Sequence, residues 1–413
     1  MKDTLKSHYA QLLGLSANWE VCAVNLELAA KLVKIEVAHC SGVRVICPTC
    51  GASCTVADHS PERTWRHLDT MQFTTEIRAR APRSDCAECG VKTTEVPWAG
   101  KHSRFTLLFE AFAIEVLLMS RDVKAASDLL RLNWHSTQTI MKRAVDRGLL
   151  RREEEPVEYV GLDEKSFRRG QDYISVMSDL NGSRVLEVSE GRDEAAATKL
   201  WNTLSEAQCS YVAAVAMDMW RPYFNATRAE APGAEIVHDR FHVSKYLNEG
   251  VDKVRRQEHK RLMEASDERL KGTRQLWLFN PENMSDPQWM RFKELKELET
   301  KTARAWLIKE DFSWFWEYQY PGNARKHFEK WYNWVVRSRL PPMAKIAKML
   351  KRHLPELLTY FRHRITNAVT EGFNSRIQAI KTAARGFRNF ANYRIRILFF
   401  CGKLDLIPEN LTH

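Results

Sequence analysis

No run in this 413-residue chain approaches the roughly 18 consecutive apolar residues that a membrane span requires. Its first residues, MKDTLKSHYAQLLGLSANWE, lack the apolar core and small-residue cleavage site of a secretory leader. There is no fixed-period repeat and no low-complexity tract, so solenoids and flexible linkers are not expected. Acidic residues are scarce in one stretch only. Between Gly322 and Lys403, 18 Lys or Arg stand against Glu329, Glu356 and Glu371, whereas the rest of the chain is slightly acidic. With 44% hydrophobic and 28% charged residues, the chain reads as a folded protein of two or three domains. Nine cysteines, an odd number, suit a reducing cytoplasm with some thiols held by metal. The basic block concentrates polyanions, of which nucleic acid is the usual one; a surface that merely aids solubility is the plain alternative.

Five segments are expected. Residues 1–100 carry short β-branched runs punctuated by Pro48, Pro61, Pro82 and Pro97, with seven of the nine cysteines. The period of Trp19 to His39 is ambiguous between helix and hairpin, and strands are the preferred reading. Residues 101–150 are helical, and residues 151–243 alternate short apolar runs with helical stretches, as an α/β core does. Residues 244–360 read as long helices holding seven of the thirteen tryptophans. Residues 361–413 close the chain with further helices.

Cys47-Pro-Thr-Cys50-Gly and Cys86-Ala-Glu-Cys89-Gly are two C-x2-C knuckles. Each sets two thiolates on one tight turn, and together they supply the four-sulfur shell of a structural Zn²⁺. The spacer is long and contains Cys54, His59 and His67 as possible substitutes. Four unrelated buried cysteines, or a redox pair, are the competing readings. Trp65 inside the spacer is expected in the core. Downstream, Val123 to Leu130 and a helix capped by Ser136 have the size and rhythm of a helix-turn-helix. Gln138, Thr139, Lys142, Arg143 and Arg147 would then lie on the exposed face of the last helix. A plain three-helix bundle without DNA contact remains the alternative.

The sharpest chemistry lies further on. Tyr159-Val-Gly-Leu-Asp163 and Tyr211-Val-Ala-Ala-Val-Ala-Met-Asp218 are apolar runs that end in an acid. The order strand, strand, strand, helix, strand, helix, strand is that of an RNase H-like core, in which those two acids lie side by side. Adjacent carboxylates at strand ends repel unless a divalent cation such as Mg²⁺ or Mn²⁺ sits between them. An ordinary turn or cap is the bland reading of either acid alone. A third acid is expected on a later helix, and Glu371 is the candidate, alone among basic residues. Phe373, Ile377, Ile380, Ala384 and Phe387 form an apolar stripe, while Glu371, Asn374, Ser375 and Gln378 share another face. On an ideal helix Glu371 lies nearly opposite the stripe, so it must reach the other acids from the helix end.

At these residues the chain resembles the DDE transposases of bacterial insertion sequences, specifically the ISL-three family. The resemblance covers nearly the whole chain. It is carried by the knuckles, by Gly161-Leu162-Asp163-Glu164, by Met217-Asp218-Met219-Trp220 with Tyr223, and by Asp239-Arg240-Phe241-His242. Its strongest part is Thr370-Glu371-Gly372-Phe373-Asn374 through Gly386-Phe387-Arg388-Asn389-Phe390. One departure is Ile365-Thr366-Asn367 ahead of Glu371. The resemblance implies a multidomain α/β chain: a zinc-ribbon-like finger, a helix-turn-helix, and an RNase H-like core interrupted by an all-helical insertion. It implies a metal triad of Asp163, Asp218 and Glu371 with two Mg²⁺ or Mn²⁺ ions, and a supporting role for Asp239 and His242. It implies DNA contacts from Gln138, Lys142, Arg143, Arg376, Lys381, Arg385 and Arg388. The partners implied are double-stranded DNA, as terminal inverted repeats and target, and a second copy of the chain in synapsis, in a bacterial cytoplasm at the nucleoid. A zinc and helix-turn-helix regulator whose catalysis has lapsed is the alternative, as is another RNase H-like nuclease.

Overall fold

The computed structural model describes residues 2–120, 122–168, 172–279, 283–365 and 368–409. Arg169, Gly170, Thr366 and Asn367, which fall within or beside the motifs above, lie outside the described residues. The chain divides into two compact units, Met1–Arg152 with Leu404–His413, and Glu153–Lys403.

In the first unit, α1 (Lys2–Leu12) precedes a hairpin of β1 (Trp19–Glu27) and β2 (Leu32–His39), so the segment of ambiguous period is two strands. Alternation explains it: Val33, Ile35 and Val37 point inward while Lys34 and Glu36 point out. Then follow β3 (Val45–Ile46), β4 (Ser53–His59), β5 (Arg63–Thr70), β6 (Phe73–Ala79), β7 (Pro82–Cys86) and β8 (Gly90–Thr93). They make two sheets, β1-β2-β6-β5 and β3-β4-β7-β8. The first sheet buries Ile35, Ile77 and Trp65 together, and Trp98 meets Trp65 and Trp19 edge-on with ring centroids 5.6 and 4.8 Å away. Trp65 is thus core, as expected.

Three helices complete this unit: α2 (Leu107–Ser120), α3 (Val123–Leu129) and α4 (Trp134–Leu150). Asp122 caps α3 through the Lys124 amide, 2.8 Å away. The cap of α4 is Asn133, one turn earlier than the expected Ser136. The Asn133 side chain accepts from the Ser136 amide at 2.8 Å, so the helix starts at Trp134 and Ser136 occupies its third position. The Ser127 and Thr137 hydroxyls meet at 2.9 Å in the buried angle between α3 and α4. Glu110 of α2 is buried and bridges Arg143 at 3.1 Å and Arg147 at 2.9 Å, while the Ser103 hydroxyl donates to it at 3.0 Å. Arg147 also reaches the Leu406 carbonyl, and Arg151 pairs with Asp405 at 2.9 Å, which lays Asp405 and Leu406 along α4.

The second unit is built on β9 (Tyr159–Ser166), β10 (Tyr173–Asp179), β11 (Arg184–Glu190), α5 (Glu194–Trp201), α6 (Glu206–Tyr211), β12 (Ala214–Met217), α7 (Arg221–Glu230) and β13 (Glu235–His238). The sheet order is β11-β10-β9-β12-β13; β9 pairs antiparallel with β10 and parallel with β12, and β12 pairs parallel with β13. That is the RNase H-like arrangement. One face buries Val160, Leu162, Met217 and Ile236 with Leu200, Trp201 and Tyr223 from α5 and α7.

Next come α8 (Arg240–Glu264), α9 (Arg274–Leu278), α10 (Asp286–Glu297), α11 (Lys301–Ser313), a 3₁₀ turn Trp314–Glu317, α12 (Pro321–Arg337), α13 (Pro341–Arg352), α14 (Leu354–Leu358) and α15 (Tyr360–His363). Their shared core holds Trp277, Trp306, Trp316 and Trp331, so the tryptophan-rich stretch is chiefly a packed helical interior; Trp314 and Trp334 are exposed. The sheet is completed by α16 (Ala368–Ala383) and α17 (Phe390–Cys401). Tyr393 of α17 stacks on Phe167 with centroids 5.4 Å apart, and Arg394 pairs with Glu187 of β11.

Glu110→Ala would leave two guanidinium groups facing a buried gap. It is expected to cost the helical part of the first unit about 2 kcal/mol, read as faster amide exchange in α2 and α4 of the intact chain. Glu110→Gln, which keeps hydrogen bonding, is expected to cost less.

Candidate active site and metal centre

Asp163 was expected at the end of its strand. Instead it lies within β9, which continues to Ser166 because β10 pairs with it throughout, Val176 opposite Asp163. Among the described residues the other edge of β9 has no ladder partner beyond Gly161, where its pairing with β12 ends. Asp163 therefore faces a notch in the sheet. The registers fix its neighbours: Ala216 pairs with Gly161 and Met217 with His238. Continuing both ladders places Asp218 level with Asp163, and Asp239 level with Asp218. Parallel neighbours in register point the same way, so extending the two ladders past their last pairs, Gly161 with Ala216 and Met217 with His238, would bring the three carboxylates to one side of the sheet. At the strand spacing of about 5 Å two such charges repel by about 3 kcal/mol at an effective dielectric constant near 20.

The residues around them soften that repulsion. Asp239 caps α8, its carboxylate accepting from the Phe241 amide at 3.2 Å. The first turns of α8 then present His242 and Tyr246, four residues apart, to Asp218: His242 Nδ1 lies 3.4 Å from Oδ2, and the Tyr246 hydroxyl donates to it at 3.3 Å. Burial first, and the charge of Asp218 second, push the Tyr246 phenol well above its ordinary value, so it stays a donor. Glu164, on the opposite pleat beside Arg192 at 3.7 Å, is raised chiefly by burial. Tyr246 was not singled out from the sequence; the signal was its spacing of one helical turn after His242.

Helix α16 delivers the third acid. Thr370 crosses Gly161 so closely that a Cβ there would lie 2.5 Å from the Thr370 hydroxyl and 2.7 Å from that of Ser178. Those two hydroxyls hydrogen-bond at 3.2 Å. The contact seats the helix start on β9 and β10, with Phe373 and Ile377 buried below. Asn374, one turn on, donates its amide to Asp163 Oδ2. Glu371 is exposed on the same side. Its carboxyl is raised by partial burial, by Asp239, and less by Asp163, with His242 acting against them. Oxygens of Asp163, Asp218 and Glu371 do not all lie within 4.8 Å of one another. Glu371 instead lines, with Asp239, an open cleft of about 1020 Å³ along α8 that carries Arg240, Lys245 and Lys253 beside Glu249, and Arg256 and Arg274 paired with Asp252.

The knuckles do converge. Cys47, Cys50, Cys86 and Cys89 bring four sulfurs within 4.8 Å of one another, Cys50 and Cys86 at 3.5 Å. An edge of about 3.8 Å follows from a tetrahedron with Zn–S near 2.3 Å, so the set fits zinc. The antiparallel pairing of β4 with β7 places the two turns side by side. The spacer is long because it contains β5 and β6, which belong to the other sheet. Gly51 and Gly90, after each second cysteine, have φ of 73° and 70°, a conformation favouring glycine. The amides of Cys50 and Thr49 lower Cys47 to about 6, and those of Cys89 and Glu88 lower Cys86, which favours the ligating thiolate. Cys54 is buried beside the cluster, its Sγ 3.4 Å from the Ala52 carbonyl; His59 is exposed, and His67 meets the Thr106 hydroxyl at 2.9 Å.

The expected DNA-facing residues divide. Gln138 is buried rather than exposed, because its position on α4 turns it into the three-helix interface. Arg143 and Arg147 are drawn to Glu110, whereas Lys142 is exposed and pairs with Asp146 at 2.6 Å. In the second unit Lys381, Arg385 and Arg388 line one groove of about 990 Å³ together with Arg168. Arg376 is not among its lining and reaches the Phe400 carbonyl at 3.1 Å.

Gly161→Ala is expected to push α16 off the sheet, costing about 1–3 kcal/mol and lowering the melting temperature of the catalytic unit by circular dichroism. Cys50→Ser is expected to remove one equivalent of zinc, measured by elemental analysis, and to loosen β3, β4, β7 and β8.

A family profile described as "Transposase", the DDE domain of ISL3 elements, matches residues 160–397. A zinc-finger profile of the transposases of IS204, IS1001, IS1096 and IS1165 matches residues 44–89, and a helix-turn-helix profile of transposase family ISL3 matches residues 94–145. The transposase for insertion sequence element IS1001 of Bordetella parapertussis is 29% identical over 357 residues, 86% of this chain and 88% of that protein. The transposase for IS1557 of Mycobacterium tuberculosis is 24% identical over 400 residues, 89% of this chain and 88% of its own. The profile spanning the sheet, the aligned acids and α16 covers more than half of the sequence, and the chain belongs to the ISL3 family of DDE transposases.

Proposed function

We propose that this chain binds the terminal inverted repeats of its own insertion sequence and cuts and joins DNA strands at Asp163, Asp218 and Glu371. The observation that carries the reading is that Asp163 and Asp218 each stand two residues beyond the last pair of β9 with β12, Gly161 with Ala216, while Glu371 lines a cleft with Asp239 and a mixed set of charged side chains. All the candidate ligands are hard carboxylate oxygens, which suit Mg²⁺ or Mn²⁺. Asp163, Asp218 and Glu371 would hold two such ions, which supply Lewis-acid activation of water and stabilisation of the leaving 3′ oxygen.

The protein's own groups have separate tasks. Asn374 holds the Asp163 carboxylate and the Tyr246 hydroxyl holds that of Asp218, with the His242 ring beside it, so both are oriented before DNA arrives. Arg240, Lys245 and Lys253 would attract and align the phosphate backbone along α8, while Arg256 and Arg274 in the same cleft pair with Asp252. In the first step a water oxygen bonds to phosphorus and the 3′ oxygen of the element end leaves as a hydroxyl. In the second, that hydroxyl attacks a target phosphate and displaces the target's own 3′ oxygen. Neither step needs a covalent bond to the protein. The zinc finger and helix-turn-helix supply end recognition, with Lys142 and the exposed first turn of α4 as base or phosphate contacts. Lys381, Arg385 and Arg388 hold a further stretch of backbone. Joining two ends calls for at least two copies of the chain, acting in the bacterial cytoplasm at the nucleoid.

The test uses purified protein, labelled DNA carrying the element's ends, and Mg²⁺, Mn²⁺ or EDTA. Metal-dependent nicking at the element boundary is expected. It should fall at least about 1000-fold in Asp163→Ala, Asp218→Ala and Glu371→Ala, with binding to the ends within about threefold of wild type. Specific binding with intact strands under every metal would instead mark a regulator that has lost catalysis.

A further inference from the structure

On the other pleat of the same strand end lies a second group of metal-ligating side chains that the reaction does not use. His238, the last residue of β13, is buried, and its Nε2 lies 3.3 Å from Nδ1 of His353, which joins α13 to α14. The rings stand at 82° with centroids 5.0 Å apart. Glu356, on α14, completes the group: one ligand atom from each of the three residues lies within 4.8 Å of the others. Its Oε2 is buried with no hydrogen-bond partner among the described residues, a costly condition for a carboxylate oxygen.

A nitrogen–nitrogen distance of 3.3 Å is long for a hydrogen bond. It equals the edge of a tetrahedron whose metal–nitrogen bonds are about 2.0–2.1 Å. Two imidazoles and one carboxylate form a borderline donor set that suits zinc and not magnesium. His238 Nδ1 faces the Met217 carbonyl at 3.4 Å, the outer contact that fixes a ligating imidazole in its tautomer. Arg221 and Arg352 bear on His353 electrostatically and oppose a cation, so affinity must come from ligand geometry and from the charge of Glu356.

We propose that His238, His353 and Glu356 form a second zinc site, separate from the cysteine knuckles and from the catalytic carboxylates. Its role is structural. It ties α14, where the chain returns from the helical insertion, to the end of β13 immediately before Asp239. Thr359 supports the same junction, its hydroxyl donating to the Ile236 carbonyl at 2.5 Å. The site leaves one coordination position for water, which reaches it because His353 and Glu356 are only partly buried.

The test is metal stoichiometry on the full-length chain, purified with zinc and dialysed against excess Mg²⁺ so that the carboxylate triad holds no zinc. Wild type should retain two equivalents by elemental analysis. Cys50→Ser should retain one, and His353→Gln and Glu356→Gln should each retain one while the cysteine site stays filled. Cobalt substitution separates the two sites, since only the cysteine shell gives an intense thiolate-to-metal band. Zinc should raise the melting temperature of Cys50→Ser but not that of the Cys50→Ser, Glu356→Gln double variant. One equivalent in wild type, lost entirely with Cys50, would overturn the proposal. So would two equivalents persisting in both His353→Gln and Glu356→Gln. Neither result depends on whether the chain cleaves DNA.

Discussion

The second unit depends on how closely one helix approaches one strand. Where Thr370 passes over Gly161, hydrogen atoms take the place of a side chain, and the Thr370 and Ser178 hydroxyls fill the gap between them. Everything that α16 brings to the site follows from that seat. Asn374 reaches Asp163 because it is one turn beyond Thr370, and Glu371 stands at the cleft because it is the next residue. The tension between Glu371 and the apolar stripe resolves in the same way. The helix meets the sheet at its first turn, so an acid nearly opposite Phe373 and Ile377 lines the cleft along α8 with Asp239.

Carboxylates collected at one place are unstable neighbours, and the fold spends several polar side chains on them. Asp239 is occupied as a helix cap, Asp218 accepts from the Tyr246 hydroxyl, and Asp163 accepts from an amide. Such fixed partners orient lone pairs without neutralising them, which keeps the group attractive to a hard cation. The same economy appears in the N-terminal unit. Two arginines of α4 that look available for DNA are tied to buried Glu110, and so join α4 to α2.

Legibility differed with the range of the interaction. The knuckles could be read directly, because two cysteines on one turn followed by glycine is a local pattern; the positive φ of Gly51 and Gly90 follows from it. The reason for their long spacer could not, since β5 and β6 pair with strands of another sheet. The order of the α/β core was visible in its apolar runs. The position of Asp163 inside β9 was not, because strand length is set by the partner β10, not by the run of apolar residues. Gln138 was misplaced for a similar reason: the helix starts at Trp134, and the phase of α4 against α2 and α3 decides which polar residues turn inward.

By itself the sequence determined the composition of each centre: which thiols, which acids, and a C-terminal block almost free of acids. These are properties of residue type and short spacing, governed by local backbone geometry and by charge. Tertiary structure alone decided which of those residues meet. The parallel pairing of β9 with β12 and of β12 with β13 brought the chain to Asp163, Asp218 and Asp239 just beyond the last pairs of the two ladders. One close helix crossing added Asn374 and Glu371. A return of chain after more than a hundred residues set His353 against His238. No local pattern encodes such meetings, because each depends on where two distant segments are packed at once.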